Sequence, residues 1–177
     1  MLNRGLFVGR FQPFHHGHLN AIKYVLEHVE ELILVVGSAQ YSHDSINPFT
    51  VGERMYMMRL ALKESQIDPA RHIIVPVPDV TLHSTWFSNL QSYVPRFEVV
   101  YSNELLTCRL AKEAGYRVEY VPLFKRDRYW ATEIRKRMLS GGNWKELVPK
   151  SVAEFIKLQD GVQRIKDLVQ TDVTIDD

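Results

Sequence analysis

Three histidines, an arginine and two glycines crowd the segment "GRFQPFHHGHLN", residues 9–20. His15, His16 and His18 are three of the chain's seven histidines, and Arg10 stands just before them. Packing accounts for Phe11 and Phe14 but leaves the imidazoles and the guanidinium unexplained. His15 and His18 are three residues apart, so at a helix start they share a face and can converge on one ligand. Gly17 between them lets a ligand come close to the backbone. The amides of a helix start carry partial positive charge, which suits the group to a polyphosphate. Arg10 can reach the same anion. Two plainer readings compete: a histidine that only caps its helix or meets solvent, and a histidine metal site. The second lacks a further ligand cluster with zinc-like spacing. Strand end, arginine and glycine together favour phosphate.

Residues of this kind must be held by a scaffold, and the apolar pattern describes one. "RGLFVGR" (4–10) and "ELILVVGS" (31–38) are near-continuous in apolar residues, as strands of a buried parallel sheet are. "HIIVPV" (72–77), "FEVVYS" (97–102) and "YRVEYV" (116–121) supply a third, fourth and fifth strand. Leu19, Ile22, Leu26 and Val29 recur at helical spacing, which predicts an amphipathic helix over 17–29. Thr50-Val51-Gly52-Glu53 fits a capping box that opens a helix to about residue 64. Further helices are predicted near 84–94 and over 103–114, the latter stopped by Gly115. Past residue 130 the chain becomes helical, with a stop at Gly141-Gly142 and a start at Pro149. The expectation is an α/β fold: a Rossmann-like open parallel sheet with flanking helices and a helical C-terminal segment from about 131. No linker divides residues 1–177, so one domain is expected. Ligands of such sheets bind beyond the carboxyl ends of the strands, where the opening motif falls.

Composition narrows the classes. The chain is 45% hydrophobic and 24% charged, and 22 basic against 21 acidic residues leave a net charge of +1. That balance argues against general nucleic-acid or membrane binding, so any cationic function is a local patch. Cys108 is the only cysteine, which excludes an intramolecular disulfide and a cysteine-based zinc site. No signal peptide and no apolar run long enough to span a membrane is visible, so the cytoplasm is the expected location. The dinucleotide fingerprint G-x-G-x-x-G and the loop G-x-x-x-x-G-K-[ST] are both absent.

Elsewhere, "KRDRYWATEIRKR" (125–137) holds six basic side chains, a local cationic concentration or, alternatively, a solvated face or an RNA-binding strip. "SAQYSHDSINPFT" (38–50) is too polar for a core element and reads as a loop over the site, with His43 solvated. Trp86, Leu90 and Tyr93 share one helical face, which is what core packing needs.

"GRFQPFHHGH" resembles the H-x-G-H signature of the nucleotidyltransferase superfamily. "GSAQYSH", "NPFTVGER", Trp86, "RDRY" and "TEIRKRM" follow in the order seen in archaeal-type nicotinamide-nucleotide adenylyltransferases, a resemblance running over roughly residues 1–165. It implies that His15 and His18 contact the ATP phosphates as pyrophosphate leaves, and that Gly9, Arg10 and Phe11 frame the nucleotide. It implies a second signature, T-x-x-R, at Thr132 and Arg135, which holds the triphosphate. Gly37 and Ser38 would line the loop after strand two, and Asp79, Val80 and Trp86 would surround nicotinamide mononucleotide (NMN), Trp86 stacking on its ring. His83 stands where an asparagine is usual, Trp130-Ala131 replaces a small polar pair, and "SNEL" (102–105) replaces an "SGNP"-like loop. These departures touch the base and nicotinamide pockets rather than the phosphate machinery.

The implied reaction is adenylyl transfer from ATP to NMN, giving NAD and pyrophosphate. The nucleophile is a phosphate already anionic at neutral pH, so positioning and electrostatic stabilisation do most of the work. Mg2+ would accompany ATP and keep its waters, with no dedicated protein cage. The family also implies a homo-oligomer, commonly a hexamer. Two alternatives stay open at the level of sequence: transfer to another phosphorylated metabolite, and a nucleotide- or RNA-binding module without turnover.

Overall fold

The structure, a computed structural model, describes residues 3–122, 124 and 129–170. Five strands and seven helices alternate along these residues: β1 (Arg4–Gly9), α1 (His16–Leu26), β2 (Glu31–Val36), α2 (Val51–Glu64), β3 (His72–Pro76), α3 (Trp86–Leu90), β4 (Val99–Tyr101), α4 (Leu105–Glu113), β5 (Arg117–Glu119), α5 (Ala131–Ser140), α6 (Lys150–Leu158) and α7 (Gly161–Asp167). All strand pairings are parallel, in the order β3-β2-β1-β4-β5. The α/β expectation, with its helical C-terminal segment, describes this architecture.

Strand β2 shows why the sheet is buried on both faces. Leu32, Leu34 and Val36 point to one side, Ile33 and Val35 to the other, and all five are fully buried. Side chains alternate across a strand, so a continuous apolar run requires helices on both sides. On the first face Ile22 and Val25 of α1 pack with Met57, Met58 and Leu62 of α2. Ile134 and Met138 of α5, Val152 and Ile156 of α6 and Ile165 of α7 extend that layer. On the second face Phe87 and Leu90 of α3 and Ala111 of α4 cover Leu6, Ile33 and Val100.

Local chemistry sets the boundaries. Thr50 and Glu53 form the reciprocal capping box read from the sequence. Gly115 and Gly141 take left-handed backbone at φ +83 and +73, each just past a helix, a conformation costly for other residues. The helix predicted over 84–94 is shorter. A 3-10 turn at His83–Thr85 leads into α3, which ends at Leu90, and Tyr93 lies beyond it, 45% exposed. Trp86 and Leu90 share a face against the second core cluster, and Tyr93, past the helix end, does not join them. Helix α4 begins two residues later than predicted because Asn103 and Glu104 are otherwise engaged. Asn103 exchanges two hydrogen bonds with the backbone of Val121, and Glu104 caps α4.

The strand order reverses at β1. From β1 the chain builds outward through β2 and β3, then returns to place β4 on the other side. The crevice above the carboxyl ends of β1 and β4 is therefore the place where an open sheet takes a ligand.

Candidate active site

A hollow of about 300 Å³ opens in that crevice. Phe7 and Val8 at the end of β1, Ser102–Glu104 after β4, Val121 and Pro122 after β5, and His15, Gly17 and His18 line it, with Tyr129 closing one side. Most of its surface is apolar, and its polar groups come from the start of α1, from Ser102–Glu104 and from Tyr129.

His15 is the N-cap of α1 rather than part of the helix, and His18 is its third residue. Each ring caps the other's backbone: His18 N–H donates to His15 Nδ1 and His15 N–H donates to His18 Nδ1, both at 3.3 Å. This is a capping box built from two imidazoles. The rings stack 3.6 Å apart at 20°. Burial, followed by the neighbouring charge of His16, pulls the pKa of His15 down to about 3. Burial, followed by His15, holds His18 well below the usual histidine range. Both rings are thus neutral at pH 7, and both use Nδ1 as an acceptor. A neutral imidazole carries one N–H, so the proton of each sits on Nε2. The pair offers two fixed donors, suited to phosphate oxygens and unsuited to general-base work.

The surrounding apolar residues hold this pair. Phe11 is buried with its ring edge-on to His18 at 4.8 Å, and Phe14 lies 5.6 Å away. A Cβ at Gly9 would meet the Phe11 ring at 2.8 Å, so that glycine makes room for the support. At Gly17 a Cβ would press on His15 and Tyr129 at 3.0 Å, a packing demand on the residue besides any approach by a ligand. His16, half-buried, faces away from the pair and sets its ring against Tyr129 at 5.7 Å.

Cationic groups arrive from other elements. Arg10 is exposed at the end of β1. Arg135, in the second turn of α5, donates from Nη1 to the Gln12 carbonyl at 2.7 Å. Burial, and then the positive charge of Arg10, lower the pKa of Arg135, while Asp44 opposes them. Thr132 is exposed in the first turn of α5, whose N-cap, Trp130, provides no side-chain cap. Among the described residues no side chain caps the leading amides of α5, a start that suits an anion. Of the basic strip, Lys125, Arg126 and Arg128 lie outside the described residues, and Arg137 is paired with Glu133 and Glu146.

The residues expected around the second substrate form another group. Asp79, Val80, His83 and Trp86 line a hollow of about 180 Å³ closed by Leu106, Thr107 and Leu110 of α4. Ser38 donates to the Asp79 carboxylate from its N–H at 3.2 Å and from Oγ at 2.8 Å. Gly37 is buried, its N–H bonded to the Gly9 carbonyl at 3.0 Å, and joins the ends of β1 and β2. His83 is exposed and makes no cap to the turn it opens. The segment after β4 lines the first hollow, and α4, which follows it directly, closes the second.

Sequence reasoning missed Arg54, Gln12 and Asn103. Arg54 could have been found, because it repeats with Met57, Met58 and Ala61 on the buried face of α2. The Gln12 amide exchanges hydrogen bonds with the backbone of Phe49, and nothing in the local sequence signals a partner so distant.

A parallel sheet reversing at β1, with imidazole donors and a helix start at its carboxyl edge, is the layout of a nucleotidyltransferase. Residues 6–137 match the model of the cytidylyltransferase-like family. The chain is 48% identical over 171 residues to the nicotinamide-nucleotide adenylyltransferase of Saccharolobus solfataricus, covering 97% of this chain and 99% of that protein. It is 49% identical over 168 residues to the one from Thermococcus kodakarensis, covering 95% and 89%. Among solved structures, a bifunctional NMN adenylyltransferase/ADP ribose pyrophosphatase from Francisella tularensis superposes with a TM-score of 0.78 at 26% identity. That match covers 96% of this chain and 53% of the other, so the chain spans about half the length of the bifunctional protein. The same protein has been solved with AMP and a manganese ion. The chain belongs to the nicotinamide-nucleotide adenylyltransferase family.

Proposed function

We propose that this chain catalyses adenylyl transfer from ATP to NMN, forming NAD and pyrophosphate. The observation that carries the reading is the reciprocal His15–His18 cap, which leaves two neutral Nε2–H donors beside a largely apolar hollow of about 300 Å³. An oxygen of the NMN phosphate attacks the α-phosphorus of ATP, and the bond from that phosphorus to the bridging oxygen of pyrophosphate breaks. No proton need be removed from the nucleophile. The donors of His15 and His18 and the cations of Arg10 and Arg135 neutralise charge as the phosphates separate. Gly9 and Phe11 shape the strand end beneath the nucleotide, and Thr132 presents its hydroxyl with the leading amides of α5. Gly37 and Ser38 border the acceptor, Asp79, Val80 and His83 surround its nicotinamide, and Trp86 stacks on the ring.

Among the described residues no group of three or more His, Cys, Asp or Glu is arranged to hold an ion. A cation that arrives with the triphosphate and keeps several waters fits such a site. We assign that role to Mg2+, with the manganese of the Francisella protein as the supporting precedent for a divalent ion. Assembly as a homo-oligomer, a hexamer by family resemblance, and a cytoplasmic location complete the proposal. No helix among the described residues is long and apolar enough to cross a membrane.

The test is to supply ATP and Mg2+ with a panel of phosphorylated acceptors and to measure pyrophosphate. NMN should give the highest kcat/KM. A faster reaction with another acceptor, such as FMN or pantetheine phosphate, would assign a different substrate. ATP binding with no pyrophosphate from any acceptor would make the chain a binding module.

A further inference from the structure

Arg54 is fully buried, and among the described residues no carboxylate pairs with it. Its guanidinium is held by main-chain oxygens instead. Nη1 donates to Gly37 O at 2.8 Å and to Arg10 O at 3.0 Å, Nη2 to Ser38 O at 3.0 Å, and Nε to Thr50 O at 3.4 Å. These acceptors belong to three segments: the end of β1, the turn after β2, and the N-cap of α2. The first segment carries Arg10. The second carries Ser38, whose N–H and Oγ hold Asp79 at the acceptor hollow. One planar fork therefore joins the phosphate side of the site to the acceptor side.

Burying a cation with no carboxylate in contact is costly, and leaving the buried carbonyls around it without donors would be costly too. The planar donors of the guanidinium do what an apolar side chain or an ammonium cannot: they fix several carbonyls in one plane at set separations. Burial, opposed by the charge of Asp79 and helped by that of Arg10, pulls the pKa of Arg54 down to about 10, so the group stays protonated at neutral pH.

We propose that Arg54 is a positioning residue that sets the separation between the β1 end bearing Arg10 and the β2 turn bearing Ser38, and so brings the acceptor phosphate into line with the α-phosphorus of ATP. The inference rests on the adenylyl-transfer reading. Each substrate is gripped by its own groups. Loss of the fork should leave the separate affinities intact and spoil their mutual alignment, and misplacement by about 1 Å can cost roughly 10²-fold in rate.

The experiment compares wild-type protein with Arg54→Lys, which keeps the charge and loses the fork, and with Arg54→Gln, which loses both. Calorimetry gives the binary Kd for ATP and for NMN, and NAD formation gives kcat per folded site. The expected result is a kcat lower by roughly 10²-fold with each Kd within about threefold of wild type. Unchanged kcat per folded site in either variant, or Kd values that weaken in step with kcat, would overturn the proposal. Should neither variant fold, ¹⁵N spectra of the wild-type guanidinium decide. Arg54 Nη signals that stay separate and protected with NMN and a non-reactive ATP analogue bound support the role, and signals that average on binding refute it. A wild-type protein that makes no NAD would instead refute the adenylyl-transfer reading itself.

Discussion

Arg135 and Gln12 are 123 residues apart in the chain and 2.7 Å apart in the fold, guanidinium Nη1 to carbonyl oxygen. That bond ties the start of α5 to the loop between β1 and the histidine pair. It also holds a cation near Arg10 that like-charge repulsion would otherwise drive away. Hydrogen bonds to charged groups are worth about 1.5–3 kcal/mol, roughly 10- to 100-fold in binding. Arg135→Ala should weaken ATP by about that factor and lower turnover, with NMN affinity nearly unchanged. Calorimetry with each substrate checks it, and equal ATP affinity in the two proteins would remove Arg135 from the phosphate site.

His18 has two duties that substitution can separate. His18→Ala removes a cap and a donor. Stability should fall by about 1 kcal/mol, and kcat by about 10²–10³, the usual loss for one transition-state donor. His18→Gln restores the capping box that a glutamine at this helical position makes. Its thermal midpoint should return toward wild type while kcat stays depressed. Recovery of both together would mean that the ring acts only through the fold.

The histidine pair also predicts an acid sensitivity with a definite sign. His15 titrates near 6.5 when unfolded and, through burial, near 3 when folded. Between those values the unfolded chain binds the extra proton, so stability is full above about pH 6.5 and declines as the pH falls toward 3. The slope is about 1.4 kcal/mol per pH unit for this one group. His15→Asn keeps an N-cap acceptor and removes the titration. Urea unfolding at pH 7, 6 and 5 should show wild type losing more stability than the variant by about that slope. Parallel curves would show that the buried ring is not held neutral.

At the acceptor hollow, Trp86 and His83 are separable in the same way. Trp86→Ala should raise the KM for NMN by roughly tenfold, as expected for a lost ring stack with its buried area, and should leave the KM for ATP alone. His83 is exposed beside the hollow and makes no cap, so its ring is free to read the carboxamide. An imidazole presents its hydrogen-bonding groups from two separate ring nitrogens, whereas an asparagine presents a donor and an acceptor from one amide. His83→Asn should keep or sharpen the preference for NMN over nicotinic acid mononucleotide, and His83→Ala should lose it. Comparing kcat/KM for the two mononucleotides in three proteins checks this, and identical ratios would show that His83 does not read the ring.

What could be read from the sequence was what local pattern encodes. The run Glu31–Val36 specified a strand buried on both faces, and Thr50 with Glu53 specified where α2 begins. His15, His18 and Gly17 marked a helix start because their spacing suits one. Long-range bonds escaped: Gln12 to Phe49, Asn103 to Val121 and the four carbonyls around Arg54 join segments with no shared local signature. The mutual cap of the two histidines escaped as well. Spacing showed that they could converge, but only the placement of Nδ1 against each backbone N–H reveals that both rings are neutral donors.

The most direct test of the account follows the adenylyl group itself. Purified protein is given ATP labelled at the α-phosphorus, Mg2+ and NMN, and products are separated over time alongside a pyrophosphate assay. The account predicts that label enters NAD in step with pyrophosphate, one to one. Label recovered as AMP, or ATP bound with neither product formed, would contradict it.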